Sequence, residues 1–459
     1  MSRLWDCAAP AGASVGTVIH GRGASVALSE LAAGSTLGAA LESLRNRSVL
    51  IATREQLPTA LALVELDGVA RRMTLCTPDL TQGELEAVAA RAQADAIVVE
   101  AAEELTPASL TRYVMTSRVL PGPIARQESC ATEWILLTSG TTGVPKLVLH
   151  TLQSLGGALP TLAPPGTRVT WSTFYDIRRY GGLQIYLRAL LSGSPMVLSS
   201  SSEPTGEFLA RAAAAGVTHI SGTPSHWRRA LMSGAAASLN PRYVRLSGEV
   251  ADQAILDNLR AVYPNARIAH AFASTEAGVA FDVDDGLAGF PAAFVDHPSG
   301  DIELKVVDHT LRIRSGRAAA RYLSAAPEET LMSDDGYVDT GDMVELVDGR
   351  YYFRGRVGGV INVGGLKVYP EEVESVLNAD PRVRMSLVRA RRNPITGSVV
   401  VADVVLANSE RVDASEDVVR NDLLAACRLA LAPHKVPAML RFVPALDFTA
   451  AGKLVRPNS

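Results

Sequence analysis

One stretch of the sequence concentrates the residue types that bind phosphate. It follows the apolar run Trp134 to Leu137 and consists of Thr138, Ser139, Gly140, Thr141, Thr142, Gly143, Val144, Pro145 and Lys146. A strand that ends in hydroxyls, glycines and a lysine offers main-chain N–H groups, side-chain hydroxyls and a cation to phosphate oxygens. The spacing does not fit the G-x-x-x-x-G-K-[ST] pattern of P-loop proteins, which disfavours a P-loop kinase. The alternative reading of the same composition is a surface turn.

Further short strings follow this phosphate loop in the chain. They are Phe272-Ala273-Ser274-Thr275-Glu276, Tyr337-Val338-Asp339-Thr340-Gly341-Asp342, Gly355-Arg356 and Ala450-Ala451-Gly452-Lys453. Together with the loop they resemble, in the same order, the motifs of the adenylate-forming superfamily. That superfamily contains acyl- and aryl-CoA synthetases, peptide-synthetase adenylation domains and firefly luciferase. The resemblance extends from Trp134 to Lys453, and several matches in the family's order are far more specific than any one of them.

The resemblance implies an enzyme that uses ATP and Mg²⁺ to activate a carboxylic acid as an acyl-adenylate, with release of pyrophosphate. Like charges keep a carboxylate from ATP until cations neutralise the triphosphate. By resemblance, the loop from Thr138 to Lys146 holds the β- and γ-phosphates. Thr275 contacts the α-phosphate, and Glu276 binds the metal ion.

The other motif residues are implied to bind the nucleoside and to catalyse the reaction. Phe272 provides a ring for adenine to stack on. Asp342 accepts hydrogen bonds from both ribose hydroxyls, which suits an ionised carboxylate with two acceptor oxygens. Arg356 also reaches the ribose. Lys453 lies between the attacking carboxylate and the α-phosphate, where its charge stabilises the transition state.

A second half-reaction is implied, in which the acyl group passes to a thiol. The expected acceptor is coenzyme A, and Gly364 and Gly365 would line its pantetheine tunnel, unless they form only a turn. The alternative acceptor is the phosphopantetheine of an acyl carrier protein. Basic residues that could meet such a carrier, or form a solvated face, are Arg382, Arg384, Arg389, Arg391 and Arg392. A degenerate ATP-binding protein or an adenylate-consuming oxidase is disfavoured because Lys453, Glu276 and Asp342 are all present.

The sequence departs from the family's pattern at several positions. Phe272 replaces a tyrosine and Ala273 a glycine. Gly358 and Gly359 stand where many relatives have an acidic residue or lysine at the hinge, and glycines there predict free rotation without a biasing side chain. The residues of the acyl pocket are harder to identify from the sequence. Arg178 or Arg179 could contact a polar substituent of the substrate, and Asp176 could contact an amine. Alternatively, all three could be packing and surface charges.

The elements that must position these residues predict an α/β fold. Short apolar runs alternate with helix-like segments (31–45, 84–94, 207–215 and 252–262), which indicates stacked α/β subdomains with largely parallel sheets. Alternating runs at 301–307 and 310–314 indicate a small antiparallel or barrel-like part. We expect a large domain over residues 1–353 and a small mobile α+β domain over 354–459, with a hinge near 354–359.

The composition narrows the partners. A chain of 459 residues is too long for one ordinary core, and a net charge of -4 gives no reason to expect nucleic acid as a partner. The four cysteines have no metal-binding spacing, so reduced buried thiols are expected. The sequence shows neither a signal peptide nor a run of apolar residues long enough to span a membrane, which favours a cytoplasmic enzyme.

Overall fold

The computed structural model describes residues 3–8, 17–101, 106–122, 130–138, 145–156, 159, 168–323, 330–393, 397–407, 415–449 and 453–456. The helices are, in chain order, α1 (Leu4–Ala8), α2 (Ala40–Ser43), α3 (Gln56–Leu66), α4 (Gln82–Ala92), α5 (Leu152–Gly156), α6 (Tyr180–Leu191), α7 (Thr205–Ala214), α8 (Pro224–Met232), α9 (Gln253–Val262), α10 (Ala293–Asp296), α11 (Pro370–Asn378) and α12 (Glu416–Ala430). Among the described residues, no helix combines the length and the apolar composition that a membrane span requires.

The strands precede, separate and follow these helices. They are β1 (Val18–His20), β2 (Ser25–Ala27), β3 (Gly34–Ser35), β4 (Ser48–Ile51), β5 (Arg72–Leu75), β6 (Ala96–Val99), β7 (Thr111–Val114), β8 (Leu120–Pro121), β9 (Glu133–Thr138), β10 (Lys146–Thr151), β11 (Trp171–Thr173), β12 (Met196–Leu198), β13 (His219–Gly222), β14 (Tyr243–Ser247), β15 (Arg267–Ser274), β16 (Gly278–Val283), β17 (Phe290–Pro291), β18 (Ile302–Val307), β19 (Thr310–Ser315), β20 (Arg321–Tyr322), β21 (Val338–Val347), β22 (Arg350–Arg356), β23 (Ile361–Val363), β24 (Leu366–Val368), β25 (Val383–Asn393), β26 (Gly397–Leu406) and β27 (Met439–Phe442).

Two large sheets form the body of the protein. One has the strand order β16-β15-β14-β13-β11-β12-β1-β2, and the other has the order β20-β10-β9-β5-β4-β6-β7. The inner neighbours are parallel in both, for example β11 with β13 and β4 with β5. Parallel strands need helical crossovers and are buried on both faces, which accounts for the apolar runs in the sequence. The predicted α/β fold is confirmed.

Helices α3 and α6 belong to the largest hydrophobic core. Every residue of α3 is buried, and so are ten residues of α6. Their side chains share this core with residues of both large sheets, such as Val49 of β4 and Trp171 of β11. A helix that is apolar on all sides is stable only when it is surrounded by protein. The position of α6 matters for function because the helix begins directly after Arg179, beside the expected acyl pocket.

A third sheet, with the order β17-β22-β21-β19-β18, carries the Asp342 and Arg356 motifs. Its pairs are antiparallel, and β18 and β19 cover the two runs that the sequence predicted for this part. Phe290, Leu311 and Ile313 are fully buried in its own hydrophobic core. The alternation of apolar and polar residues is typical of a sheet with one face on a core.

The C-terminal part builds a core of its own. The hairpin β23-β24, the sheet β25-β26-β27 and the helices α11 and α12 contribute residues such as Ile361, Leu377 and Leu423 to one cluster. This is an α+β arrangement, as the sequence indicated. Its helices are α11, which begins at Pro370, and α12, which ends at Ala430.

The helix predicted over residues 31–45 is wrong. This segment contains a 3-10 turn at Leu28–Ala32, the short strand β3 and only one turn of helix, α2. Gly34 pairs with Pro121 of β8, and a Cβ on Gly34 would collide with the carbonyl of Leu120. The close approach of a second chain segment therefore overrides the helix propensity of the leucines and alanines here.

Candidate functional site

Asp342 and Arg356 are brought together by the pairing of two strands. They lie directly opposite each other on β21 and β22, and the Nε of Arg356 is 3.5 Å from Oδ1 of Asp342. Arg356 also donates a hydrogen bond of 2.7 Å to the carbonyl oxygen of Thr340. The Asp342 side chain is 22% exposed, whereas that of Arg356 is 70% exposed. Burial raises the pKa of Asp342, and the cations Arg356 and Lys453 oppose that rise.

Thr275 and Glu276 follow directly on β15, where the parallel strands of the first sheet end. The carbonyl oxygen of Thr275 accepts a hydrogen bond of 2.8 Å from Nε2 of His150, which is fully buried. The hydroxyl of Tyr322 donates to Oε1 of Glu276 over 3.4 Å. Lys146 lies with its Nζ 5.1 Å from the centre of the Tyr322 ring, so the cation and the carboxylate of two separate motifs share one neighbour.

His150 links the phosphate loop's outgoing strand to the Thr275 motif. A carbonyl oxygen only accepts, so Nε2 of His150 carries the proton, and Nδ1 faces the hydroxyl of Ser154 over 3.1 Å. Burial lowers the pKa of His150 to about 4, so the ring is neutral near pH 7. His150 lies only four residues beyond Lys146 in the chain, and its hydrogen bonds give it a structural role.

The phosphate loop is closed at its base by strand pairing. Thr138 ends β9, Lys146 begins β10, and the two residues pair directly in antiparallel register. Ser139, Gly140, Thr141, Thr142 and Gly143 lie outside the described residues, so their predicted phosphate contacts stay predictions. The pairing nevertheless fixes where the loop leaves and re-enters the sheet.

Phe272 lies on β15 among other aromatic rings. Its ring is stacked on Phe353 with 5.1 Å between centroids, and Phe281 lies 5.9 Å away. Adenine stacking on Phe272 remains a prediction. If adenine binds there, it meets an edge of an aromatic cluster rather than an isolated ring.

Lys453 reaches the large sheets from the C-terminal part of the chain. Its Cε lies 3.6 Å from the position that a Cβ on Gly248 would occupy, at the end of β14. The backbone N–H of the next residue, Leu454, donates to Oε1 of Glu249 over 3.3 Å. Burial lowers the pKa of Lys453, and the carboxylates of Glu249 and Asp342 oppose this. Asp342, Arg356 and Lys453 thus lie within electrostatic reach of one another.

The two pairs of glycines take different places. Gly364 and Gly365 form the turn between β23 and β24, with φ of 58° and 86°. Such a two-residue turn needs left-handed backbone at both positions, which glycine adopts without strain. Gly358 and Gly359 end an exposed 3-10 turn that begins at Val357, and no heavy atom lies within 4 Å of a Cβ built on either.

The charges expected at the acyl pocket are satisfied by protein. Arg178 is 2% exposed and holds Asp176 with bonds of 2.8 Å and 2.6 Å from Nε and Nη2. Arg179 is paired with Asp79 at 2.9 Å. Tyr175 donates to the carbonyl oxygen of Ser247 over 2.7 Å. The packing interpretation therefore describes Asp176 and Arg178 better than a substrate contact does.

The donor set near Glu276 suits magnesium. Within the described part of the chain, no group of three or more histidine, cysteine, aspartate or glutamate residues could hold a metal. Mg²⁺ does not require such a cage, because it keeps several waters and is bound by one or two carboxylates together with substrate phosphates. Glu276 provides one such carboxylate beside the phosphate loop.

Comparisons with known proteins agree with this arrangement of motifs. Family models described as AMP-binding enzyme and AMP-binding enzyme C-terminal domain match residues 53–317 and 372–453. The 2-succinylbenzoate–CoA ligase of Salmonella typhimurium is 29% identical over 74% of this chain and 72% of its own length. The 2-succinylbenzoate–CoA ligase of Geobacillus kaustophilus is 30% identical over 72% of this chain and 70% of its own length.

A solved structure supports the same assignment. A substituted MenE of E. coli with bound OSB-AMS superposes with a TM-score of 0.76, at 25% identity, over 94% of this chain and 93% of that one. The matched family model alone spans more than half of the chain. The protein therefore belongs to the adenylate-forming superfamily of AMP-binding enzymes, and it is an ATP-dependent, AMP-forming ligase.

Proposed function

We propose that this protein is an acid–thiol ligase that forms an acyl-adenylate from a carboxylic acid and ATP and then transfers the acyl group to coenzyme A. The observation that carries the proposal is the position of Lys453, which lies within electrostatic reach of Asp342 and Arg356. Lys453 comes from a distant part of the chain and lies beside the end of the parallel strand β14, where it acts electrostatically on Asp342 and Arg356 of the third sheet. Ligands of α/β proteins bind at such strand ends.

In the proposed adenylation step, the phosphate loop binds the triphosphate and Glu276 holds Mg²⁺. When bound there, the metal would supply positive charge that neutralises the phosphates and so reduces the repulsion of the attacking carboxylate. Asp342 orients the ribose, and Thr275 contacts the α-phosphate from a backbone position that His150 fixes. Lys453 stabilises the negative charge that grows on the reacting phosphate.

The second half-reaction requires Lys453 to leave. We propose that residues 354–459 rotate as a unit about the 354–359 segment and that the Gly364–Gly365 turn then approaches the active site. The separate hydrophobic core of the C-terminal part supports rotation as a unit. The exposed turn at Val357–Gly359 has space for the backbone to move.

Coenzyme A is the favoured acceptor for two reasons. The relatives reported above carry CoA ligase in their names. In addition, two arginines of the basic run that could have met a carrier protein are occupied within their own domain. Arg382 is paired with Asp380 at 2.7 Å, and Arg389 with Asp403 at 3.1 Å. A carrier protein remains the second candidate, because Arg391 and Arg392 belong to the same basic run.

The helix that begins beside the expected acyl pocket, α6, carries a half-buried cation, Arg188. Arg188 lies on α6 eight residues after Tyr180, which corresponds to about 12 Å along a helix. The Tyr180 ring is 5.7 Å from that of His150, so this face of α6 leads away from the adenylation centre. The Arg188 guanidinium lies 5.7 Å from the centre of the Trp171 ring. Burial lowers the pKa of Arg188, and the nearby cations Arg245 and Arg317 lower it further, whereas Tyr243 and Asp282 oppose this.

The carboxylates near Arg188 form ion pairs with the neighbouring arginines Arg245 and Arg317. Arg245 is paired with Asp282 at 2.8 Å and Arg317 with Asp301 at 3.4 Å, whereas Arg188 has no carboxylate within 4 Å among the described residues. Asp282 is near enough to oppose the lowering of the Arg188 pKa, but it is already bound to Arg245 at 2.8 Å, so the half-buried Arg188 has no carboxylate partner of its own within 4 Å among the described residues, which is unfavourable. We therefore propose that the substrate is an acid with a second anionic group at its far end. The relatives' named substrate, 2-succinylbenzoate, is a dicarboxylate.

The acceptor can be decided by competition. The protein is first charged with ATP, Mg²⁺ and the preferred acid, and then supplied with coenzyme A or with phosphopantetheinylated carrier proteins. We expect thioester formation with coenzyme A. Efficient loading of a carrier with negligible turnover of coenzyme A would reverse the choice of acceptor and leave the adenylation step intact.

A further inference from the structure

Lys453 is carried by a short hairpin at the C-terminal end of the described chain. The N–H of Val455 donates to the carbonyl oxygen of Asp447 over 3.0 Å, and that of Thr449 to Lys453 over 2.8 Å. Phe448 and Leu454 form an antiparallel bridge between these bonds. Residues 450–452 lie outside the described part. The hairpin fixes the backbone of Lys453, and its position depends on what holds the hairpin.

One attachment joins the hairpin to the C-terminal core. Arg456 makes a two-pronged contact with Glu374 of α11, with donor–acceptor distances of 2.9 Å and 2.8 Å. Glu374 is only 8% exposed and also accepts a bond of 2.8 Å from the N–H of Val388. Two parallel charged bonds between planar groups fix orientation as well as distance. Because all three residues belong to the 354–459 segment, this contact moves with it.

The other attachment joins the hairpin to the large sheets. One oxygen of Glu249 accepts from the N–H of Leu454 over 3.3 Å, and the other accepts from the N–H of Ser225 over 2.9 Å, in the first turn of α8. The guanidinium of Arg229 lies 4.4 Å from the centre of the Phe448 ring. The contacts of Leu454 and Phe448 exist only while the hairpin lies against the end of β14, whereas the bond between Ser225 and Glu249 does not depend on the hairpin.

We propose that Arg456 and Glu249 are positioning residues for Lys453. Arg456 fastens the lysine hairpin to the small domain in every orientation, and Glu249 receives it only in the orientation that forms the adenylate. The inference rests on the proposed function, because it assigns Lys453 to the adenylation step. It predicts that the two residues affect the half-reactions unequally.

The charge of Glu249 has a second effect. The groups that face the Lys453 ammonium are the carboxylates Glu249 and Asp342, which raise its pKa, and the cations Arg356 and Arg179, which lower it together with burial. Loss of the Glu249 charge must therefore lower the pKa of Lys453 further. A lysine is protonated below its pKa, so adenylation should decline at a lower pH in Glu249→Gln than in the wild-type protein.

The test compares Glu249→Gln and Arg456→Ala with Arg441→Ala. The control removes a similar arginine–carboxylate contact, to Asp403, from the same small domain but away from the hairpin. Acid-dependent pyrophosphate release measures adenylation, and thioester formation from a supplied acyl-adenylate and coenzyme A measures transfer. Thermal unfolding reports folding. Arg456→Lys keeps a charge but loses the two-pronged geometry, so it should recover activity only in part.

We expect adenylation to fall at least about tenfold in Glu249→Gln and Arg456→Ala, as for loss of a charged hydrogen bond, while transfer by Glu249→Gln stays near wild type. The inference would be overturned if both half-reactions lost activity equally, or if Glu249→Gln adenylated at the wild-type rate. It would also be overturned if the pH at which adenylation declines did not shift in Glu249→Gln, or if Arg441→Ala lost as much activity as the test variants. If Arg456→Ala does not fold, Glu249→Gln decides. A wild-type protein without acid-dependent pyrophosphate release would overturn the proposed function itself.

Discussion

Asp342 and Arg356 face each other across paired strands, 3.5 Å apart, at the point where the large body of the protein passes into its C-terminal part. Arg356 is the last residue of β22, and the 3-10 turn at Val357–Gly359 follows it directly. Asp342, the carboxylate proposed to bind the ribose, is therefore placed beside the proposed hinge. We expect nucleotide binding and domain orientation to be coupled through this pair, because Arg356 lies within the proposed hinge segment 354–359.

Replacement of Asp342 by alanine should weaken ATP binding. The ribose hydroxyls lose a charged acceptor, a contact worth about 1.5–3 kcal/mol, which corresponds to roughly 10- to 150-fold in affinity. Calorimetric titration with ATP measures the change. Asp339→Ala serves as the control, because Asp339 lies three residues away on the same strand with a side chain that is 49% exposed. An ATP affinity equal to that of the wild-type protein would mean that Asp342 does not bind the ribose.

Replacement of Gly358 by proline should damage one half-reaction far more than the other. Proline fixes φ near -65° and removes the N–H, so it restricts the turn in which a rotation would occur. Gly358→Ala is the control, because Gly358 has no left-handed φ and nothing lies within 4 Å of an added Cβ. Adenylation and transfer are measured separately. Wild-type rates of both steps in the proline variant would place the hinge elsewhere.

Replacement of Arg188 by methionine should discriminate among acids. Methionine fills much of the same volume without charge, so acids with a second anionic group should lose about tenfold or more in kcat/KM, as expected for a lost charged contact. Acids with a single carboxyl group should be affected far less. Arg267→Met, on an exposed ion pair, is the control. Uniform loss for all acids would argue for a packing role of Arg188.

Stability should fall as the solution is acidified below pH 6.5. Burial lowers the pKa of His150 and of His219 to about 4 and of His226 to about 3. Their unfolded forms bind protons from about pH 6.5 downward while the folded forms do not, so acid favours unfolding. Each neutral histidine adds at most about 1.4 kcal/mol per pH unit to the slope. Urea unfolding measures the free energy of unfolding at pH 7 and at pH 5. The loss of this free energy between the two pH values should be smaller for His150→Gln than for the wild-type protein. An unchanged difference would contradict a buried neutral His150.

The sequence predicted much of the architecture because its strongest signals are local. Helix α9 was expected over 252–262, and Asp252 indeed caps its first turn through a bond of 3.0 Å to the N–H of Ile255. Strands β4, β6 and β14 were visible as short apolar runs. The helix expected over 31–45 failed because the constraint on Gly34 comes from Leu120, a residue far away in the chain.

Only those site residues that belong to a recognisable sequence motif could be predicted. Asp342, Arg356 and Lys453 carry signatures of their own, and their charges lie near one another in the structure. Glu249 and Arg456 have no such signature, since their significance comes from contacts across about 205 and 82 residues of chain. In the sequence, Arg188 looks like any other arginine of a helix. Only the structure shows that it is partly buried and that no carboxylate lies within 4 Å of it among the described residues.

The most direct test of the central claim separates the two half-reactions in Lys453→Ala. The lysine is needed only while charge builds on the α-phosphate, so its loss should cost adenylation about 2.7–4 kcal/mol, or roughly 10²–10³-fold in rate. Acid-dependent pyrophosphate release measures that step, and thioester formation from a supplied acyl-adenylate and coenzyme A measures the other. The account predicts near loss of the first and retention of the second. Equal impairment of both, or adenylation at the wild-type rate, would contradict it.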